Sequence, residues 1–245
     1  MPSIESLYRH LRLGNYIADL QYEMDVETTH FYEEFAESID GPQLWRKDVS
    51  DAFVDLRRLA RILNSSSHIQ RQEMENIWYS DMVYSLKRRL VSLSNAVENR
   101  RTQTTHIEVP CCTAALILIE VCFRGIGLDS RIIGRFVTRQ RTLMEPLLAD
   151  VSLILTSPVK VRALLWALCI SGIAAEKRPE RQWFVTQLVW FCSLLEINHW
   201  RDMEAVLNDV LWQPGWELPY TVLWDEVRIA RVRMHEAAYS INESV

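Results

Sequence analysis

The chain has 245 residues and an ordinary composition for a folded protein, with 49% hydrophobic and 24% charged side chains. This balance excludes a mainly disordered chain, because enough apolar surface is available to form a core. Only 7 glycines and 8 prolines are present, and since sheet folds of this size need many turn residues, their scarcity favours long helices.

Apolar residues recur every three or four positions along almost the whole chain, which is the spacing of amphipathic helices. In chain order, helical segments are predicted at about residues 3–24, 25–39, 44–63, 69–99, 111–123, 128–155, 157–175, 179–194, 198–212 and 220–241. Gly125 and Gly127 end the fifth segment, and Ser157-Pro158 is a typical helix start. The fold class is therefore predicted to be all-α, an irregular bundle of about nine or ten helices.

A polar stretch near residue 100 suggests how the chain is organised. It predicts an N-terminal helical layer at residues 1–100, a polar connection at 101–110 and a C-terminal helical half at 111–245, with one continuous domain 1–245 as the alternative. Residues 111–123 are apolar nearly all round, so they are predicted to form a buried central helix.

Charge, cysteines and hydropathy exclude several function classes. The net charge is −5, whereas DNA-binding domains are usually basic, and short basic clusters such as Arg135, Arg139 and Arg141 are interpreted as solvated helix faces. The five cysteines lie in or beside apolar runs without metal-binding spacing, which indicates buried thiols. The sequence has no secretory signal, and its longest uncharged apolar run has only 13 residues (163–175). We therefore expect a soluble intracellular protein that binds neither membranes nor, directly, nucleic acids.

The sequence gives little support for an enzymatic function. Glu27 with His30, and Glu196 with His199, have the spacing of carboxylate metal sites on helices, but this spacing arises easily by chance. Asp48, Asp51 and Asp55 lie on one predicted helix face, but a terpene cyclase would need a tighter aspartate-rich motif. It would also need a second magnesium-binding motif, and Asn208-Asp209 lacks the continuation of such a motif. No catalytic, metal-binding or cofactor-binding residue is therefore assigned, and the chain is predicted not to be an enzyme.

Two charged residues near apolar segments need partners. Glu120 is the single charge within an apolar helix, and Arg124 is placed to pair with it one turn later. Arg181 stands near a helix start, where a cation opposes the helix dipole, so a carboxylate partner is expected for it.

Four motifs between residues 107 and 224 resemble the regulatory region of fungal zinc-cluster transcription factors, the fungal-specific transcription factor domain. They are CTAALILIEVCFRG at 112–125, SPVKVRALLWALCISGIAA at 157–175, PERQWFVTQLVWF at 179–191 and NHWRDMEAVLNDVLWQPG at 198–215. Two departures are that Ala167 replaces a common proline and that the six-cysteine zinc cluster is absent from this chain. Either the segment belongs to a longer factor, or the natural product lacks the cluster.

The resemblance implies a nuclear regulatory domain without its own DNA-binding module, which senses a small-molecule effector, dimerises or binds a partner protein. Zinc would belong only to the absent cluster, so no cofactor is expected here. Trp166, Trp183 and Trp190, with Glu120, are candidates for an effector pocket, although pure core packing is the alternative for the tryptophans. An all-α enzyme and a ligand-free helical interaction scaffold remain alternative functions.

Overall fold

A computed structural model describes residues 47–65, 77–98, 107–149, 157–211 and 216–242 of the chain. The all-α prediction is confirmed, because these residues contain eight α-helices and a short π-helical turn, and none of them lies in a strand. Predictions that concern residues 1–46, including the first two helices and the Glu27–His30 pair, lie outside the described ranges.

The described helices are numbered in chain order. Their bounds are α1 Lys47–Ser65, α2 Ile77–Glu98, α3 Glu108–Leu118 with the π-turn Ile119–Phe123, α4 Arg131–Ala149, α5 Pro158–Ala174, α6 Arg181–Leu194, α7 Trp200–Val210 and α8 Glu217–Asn242.

Two helices form the centre of the bundle. All eleven residues of α3 are buried, and α3 packs against α1, α2, α4 and α5. Helix α5 packs against α3, α4, α6, α7 and α8, and from Ala163 to Ala174 it has no exposed residue. A helix that is apolar on every side can be stable in water only when neighbours cover it all round. The predicted central position of residues 111–123 is confirmed.

The helix ends follow local sequence signals. Ser157 precedes α5 with extended backbone angles, and Pro158 occupies the first turn as predicted. After the π-turn, Gly125 adopts a positive φ of 65°, a conformation that glycine enters without steric cost. Helix α4 continues through Pro146 to Ala149. Residues 107–110, placed in the polar connection by sequence, are buried, and α3 begins at Glu108.

Close packing of α8 on α5 depends on a glycine. A Cβ atom added at Gly172 would lie 3.0 Å from a methyl carbon of Leu223 on α8. Leu223 is buried together with Tyr220 and Val227, so this face of α8 joins the core. The absence of a side chain at position 172 therefore sets how near the two helices can approach.

Trp166 connects three helices through its large buried ring. Its indole Nε1 donates a hydrogen bond of 2.7 Å to the carbonyl of Leu211, which follows α7. The ring also packs edge-on against Phe53 of α1, with 5.6 Å between ring centroids. Because the side chain is fully buried, both contacts are shielded from water.

We predict that Trp166→Phe lowers the free energy of unfolding by about 1–3 kcal/mol, since the Leu211 carbonyl loses a buried donor. Trp190→Phe is the matched control, because this ring is 39% exposed, and its effect should stay within about 0.5 kcal/mol. Urea unfolding followed by circular dichroism measures both variants. Equal losses in the two variants would contradict the role given to the Trp166 hydrogen bond.

Candidate functional site

The sequence-predicted metal pattern at Glu196 and His199 forms a helix cap in the structure. The backbone N–H of His199 donates to the Asp202 carboxylate at 3.1 Å, and the His199 side chain accepts from the backbone of the same turn, which is a capping box at the start of α7. Glu196 lies in the preceding turn with a positive φ of 55°. Among the residues with described positions, no group of three or more His, Cys, Asp or Glu side chains could hold a metal ion.

Two of the aspartates weighed for the terpene-cyclase-like alternative, Asp55 and Asp209, form ion pairs between helices. Asp55 on α1 lies 2.8 Å from Arg89 of α2 and 3.4 Å from Arg58 of its own helix. Asp209 on α7 lies 2.8 Å from Arg162 of α5. These carboxylates are thus engaged by arginines of the bundle, as is typical of structural ion pairs.

Among the residues whose burial is described, Glu120 is the most deeply buried charged residue. Its carboxylate is fully buried and lies 2.5 Å from both Arg124 Nη1 and Lys87 Nζ of α2. The predicted pair with Arg124 is confirmed, whereas Lys87 could not be found from sequence because it is 33 positions away. The two cations are 28% and 44% exposed, so Glu120 joins α2 to the π-turn through cations at the edge of the core.

Arg181 has the carboxylate partner that its position at a helix start predicts. Its Nε and Nη2 atoms donate to the two carboxylate oxygens of Glu226 on α8, at 2.8 and 3.0 Å. The remaining Nη1 donates to the Gly172 carbonyl of α5 at 2.5 Å. A bidentate pair of this kind fixes orientation as well as distance, so Arg181 holds the start of α6 against α5 and α8.

The tryptophans proposed for an effector pocket have different surroundings. Trp166 is fully buried, and Trp190 is partly exposed beside Phe191. Trp183 packs edge-on against Phe184, and the Arg141 guanidinium lies 5.7 Å from its ring centroid. The three rings have no mutual contact, and the effector pocket formed by them with Glu120 stays a prediction.

Four of the five cysteines are buried, as their apolar surroundings predicted, and Cys122 is half-buried. Burial raises the pKa of the Cys122 thiol to about 12 and the pKa of the Cys192 thiol to about 11. Burial also raises the pKa of Cys111 and Cys169 well above the ordinary value. Since the thiolate is the form that attacks electrophiles and binds metals, these thiols are unreactive in the folded protein.

A groove on α4 is lined by four arginines. It has a volume of about 820 Å³ and is lined by the arginine side chains of Arg131, Arg135, Arg139 and Arg178, which we call the arginine groove. Glu180 is its one lining carboxylate. The four-residue spacing of the α4 arginines was visible in the sequence, but the part played by Arg178 depends on the tertiary fold. Arg141 lies elsewhere, paired with Glu145 at 2.7 Å.

The profile of the fungal-specific transcription factor domain matches residues 47–212, about two thirds of the chain. The chain belongs to this family. The match begins where α1 begins and ends just after α7, so it extends further upstream than the four motifs that first showed the likeness. Helix α8 lies beyond it. No curated protein and no solved structure matches the chain significantly.

Membership gives this fungal-specific transcription factor domain a regulatory role in transcription factors. Among the helices described, none has the combined length and hydropathy that a membrane span requires. The arginine groove is formed by α4 and the turn before α6, both inside the matched range. The family's regulatory role therefore has a candidate binding surface in this chain.

We predict that the stability of this transcription factor domain falls as the pH rises above about 9. Because folding raises the thiol pKa values, the neutral thiols stabilise the folded state. This contribution is fully present below pH 9.0, the ordinary thiol pKa, and is lost as the pH rises toward 11–12. Melting temperatures measured from about pH 8 to 11 should decline less in Cys111→Ala than in the unchanged chain. Prompt labelling of the four buried thiols by a disulfide reagent at about pH 8, before denaturant is added, would contradict this account.

We also predict that removing the partners of Glu120 is more harmful than removing its charge. Lys87→Met with Arg124→Met should lower the free energy of unfolding by about 3–5 kcal/mol, because the buried carboxylate is left uncompensated. Glu120→Gln should cost about 1–3 kcal/mol, since the two cations can reach water. Arg88→Met, at the exposed residue beside Lys87, is the control. Chemical denaturation gives the order, and a costlier Glu120→Gln would overturn it.

Proposed function

We propose that this chain is the regulatory domain of a fungal transcription factor that acts in the nucleus and regulates by association with a second copy of itself. In this proposal, DNA is not bound directly by this segment, and the domain has no catalytic activity. The family membership supports the regulatory part. The observation that supports self-association is an exposed apolar stripe along α8.

Four apolar side chains form this stripe, which we call the α8 stripe. They are Leu218, Val222, Ile229 and Val232, and each is exposed. Their spacings of four, seven and three residues follow a heptad pattern, the pattern of helices that pair along a seam. Between Leu218 and Val232 the stripe extends for about 21 Å along the helix.

The opposite face of α8 is already used by the fold. Tyr220, Leu223 and Val227 are buried, and α8 packs against α5 and α6. The helix is therefore apolar on two faces, one inside the bundle and one in solvent. A surface helix that serves only the fold needs one apolar face, so the second face indicates a partner.

A second copy of the chain fits this stripe best because the heptad pattern is self-complementary. Asp225 occupies a stripe position between Val222 and Ile229 and pairs with Arg228 at 3.2 Å. A charged residue within a helix seam lowers its stability and restricts the register. The association is then weak enough to be regulated. An effector that favours one helix arrangement would shift the balance between monomer and dimer.

The test is the oligomeric state of Ile229→Glu. We expect the unchanged chain to dimerise and the variant to be monomeric, because a carboxylate in the seam would be desolvated without a partner. Ile132→Glu is the matched control, since Ile132 is 47% exposed and Ile229 is 49% exposed. Sedimentation velocity over a concentration series gives the association constants. A monomer at every concentration, or a dimer that both variants preserve, would reject self-association through α8.

A further inference from the structure

We infer that the arginine groove is a binding site for a small polyanion, a molecule with two or more phosphate or carboxylate groups. Arg131, Arg135 and Arg139 are four residues apart on α4, so they share one face over about 12 Å. Arg178 adds a fourth guanidinium from the turn before α6. Arginine binds carboxylate and phosphate oxygens through a planar fork of donors.

Two of the four arginines in the groove, Arg131 and Arg135, are not balanced by a carboxylate within the part of the chain that the structure describes, whereas Arg139 donates to Ser94 Oγ at 2.9 Å. Glu180 is the one carboxylate among the lining residues, and it accepts a 2.7 Å hydrogen bond from Thr138 Oγ1. The side chains of Arg131 and Arg135 have no hydrogen-bond or ion-pair partner among the residues whose positions are described. Like charges four residues apart on a helix repel each other, so a bound anion would relieve this repulsion.

Helix electrostatics add to the positive potential. Arg131 is the first residue of α4, whose first turn contains no acidic residue. A cation at this end opposes the helix dipole, while an anion is favoured there. Glu180 stands before α6, but its side chain makes no capping hydrogen bond to that helix. At the start of α4 the Ser130 hydroxyl accepts a 3.3 Å hydrogen bond from the Ile133 N–H, so neither helix start that borders the groove has a carboxylate cap.

The Arg178 side chain is held in place before any ligand binds. Its Nη2 atom donates to the carbonyls of Leu128 and Ser130, at 2.6 and 2.9 Å. The guanidinium lies against Gly134 of α4, where an added Cβ would be 2.5 Å from Nη1. A side chain fixed in advance loses less entropy when a ligand binds, and a Cβ at position 134 would displace this guanidinium from its present position.

The size of the groove favours a small molecule as the occupant. Its volume of about 820 Å³ falls within the range of about 300–1,000 Å³ for small-molecule sites. The arginine spacing requires at least two anionic groups on one molecule. If the proposed regulatory function is correct, this polyanion is its effector, but binding can be measured without relying on dimerisation.

The test is isothermal titration calorimetry with two probes, tripolyphosphate and citrate, which separate phosphate from carboxylate sources. Arg131→Gln with Arg135→Gln should weaken binding of the preferred probe at least about tenfold. Arg201→Gln is the control, because Arg201 is an exposed arginine outside the groove. Gly134→Ala should also weaken binding, since it displaces Arg178 while all four charges remain.

Each outcome decides the assignment. Binding that weakens in both groove variants, keeps its strength in Arg201→Gln and falls as salt rises supports the site. Binding that Arg201→Gln weakens equally, or no binding of either probe, overturns it. A poly-glutamate peptide that binds the groove while both small probes fail would also overturn it and assign an acidic protein segment. The titration repeated in Ile229→Glu separates the two proposals, because groove binding should persist in a monomer.

Discussion

The burial of one helix that is apolar on every side governs the rest of this structure. Helix α5 has apolar side chains around most of its circumference, and water contact along it would be strongly unfavourable. Five helices surround it, and they are arranged so that they cover this apolar surface. Trp166 shows the same constraint at one residue, because its ring fills space between α5 and α1 while its single polar atom reaches the Leu211 carbonyl.

Several polar groups of this core are paired across elements, and each such pair fixes a relative position that apolar packing alone does not determine. The ion pair of Glu120 with Lys87 links the π-turn to α2, and the ion pair of Arg181 with Glu226 links α6 to α8. Arg57 of α1 similarly donates to the carbonyls of Asp209 and Val210 at the end of α7, where a cation complements the helix dipole. Apolar burial therefore supplies the driving force, and these charged contacts select one arrangement of helices.

Local features of the sequence predicted much of the fold, because helix period, caps and apolar runs act over a few residues. The central position of α3, the start of α5 at Ser157 and the Glu120–Arg124 pair are of this kind. The sequence also predicted that Arg181 needs a carboxylate partner. It could not identify Glu226 as that partner, because 45 positions separate the two residues. The arginine groove could not be predicted for the same reason, because only the tertiary fold brings Arg178 next to α4. Periodicity likewise predicted α8 as a helix without showing that its Ile229 face is exposed.

The two surfaces that could serve regulation are joined by one short segment. Arg178 and Glu180 line the groove, and Arg181, the next residue, binds Glu226 of α8 through two hydrogen bonds. Glu226 adjoins Asp225, the polar position of the α8 stripe. An anion bound in the groove would therefore contact the turn that precedes Arg181, the residue that positions α8. Such coupling requires an element with two discrete arrangements, and the Arg181–Glu226 pair is the described contact through which the turn would bias α8.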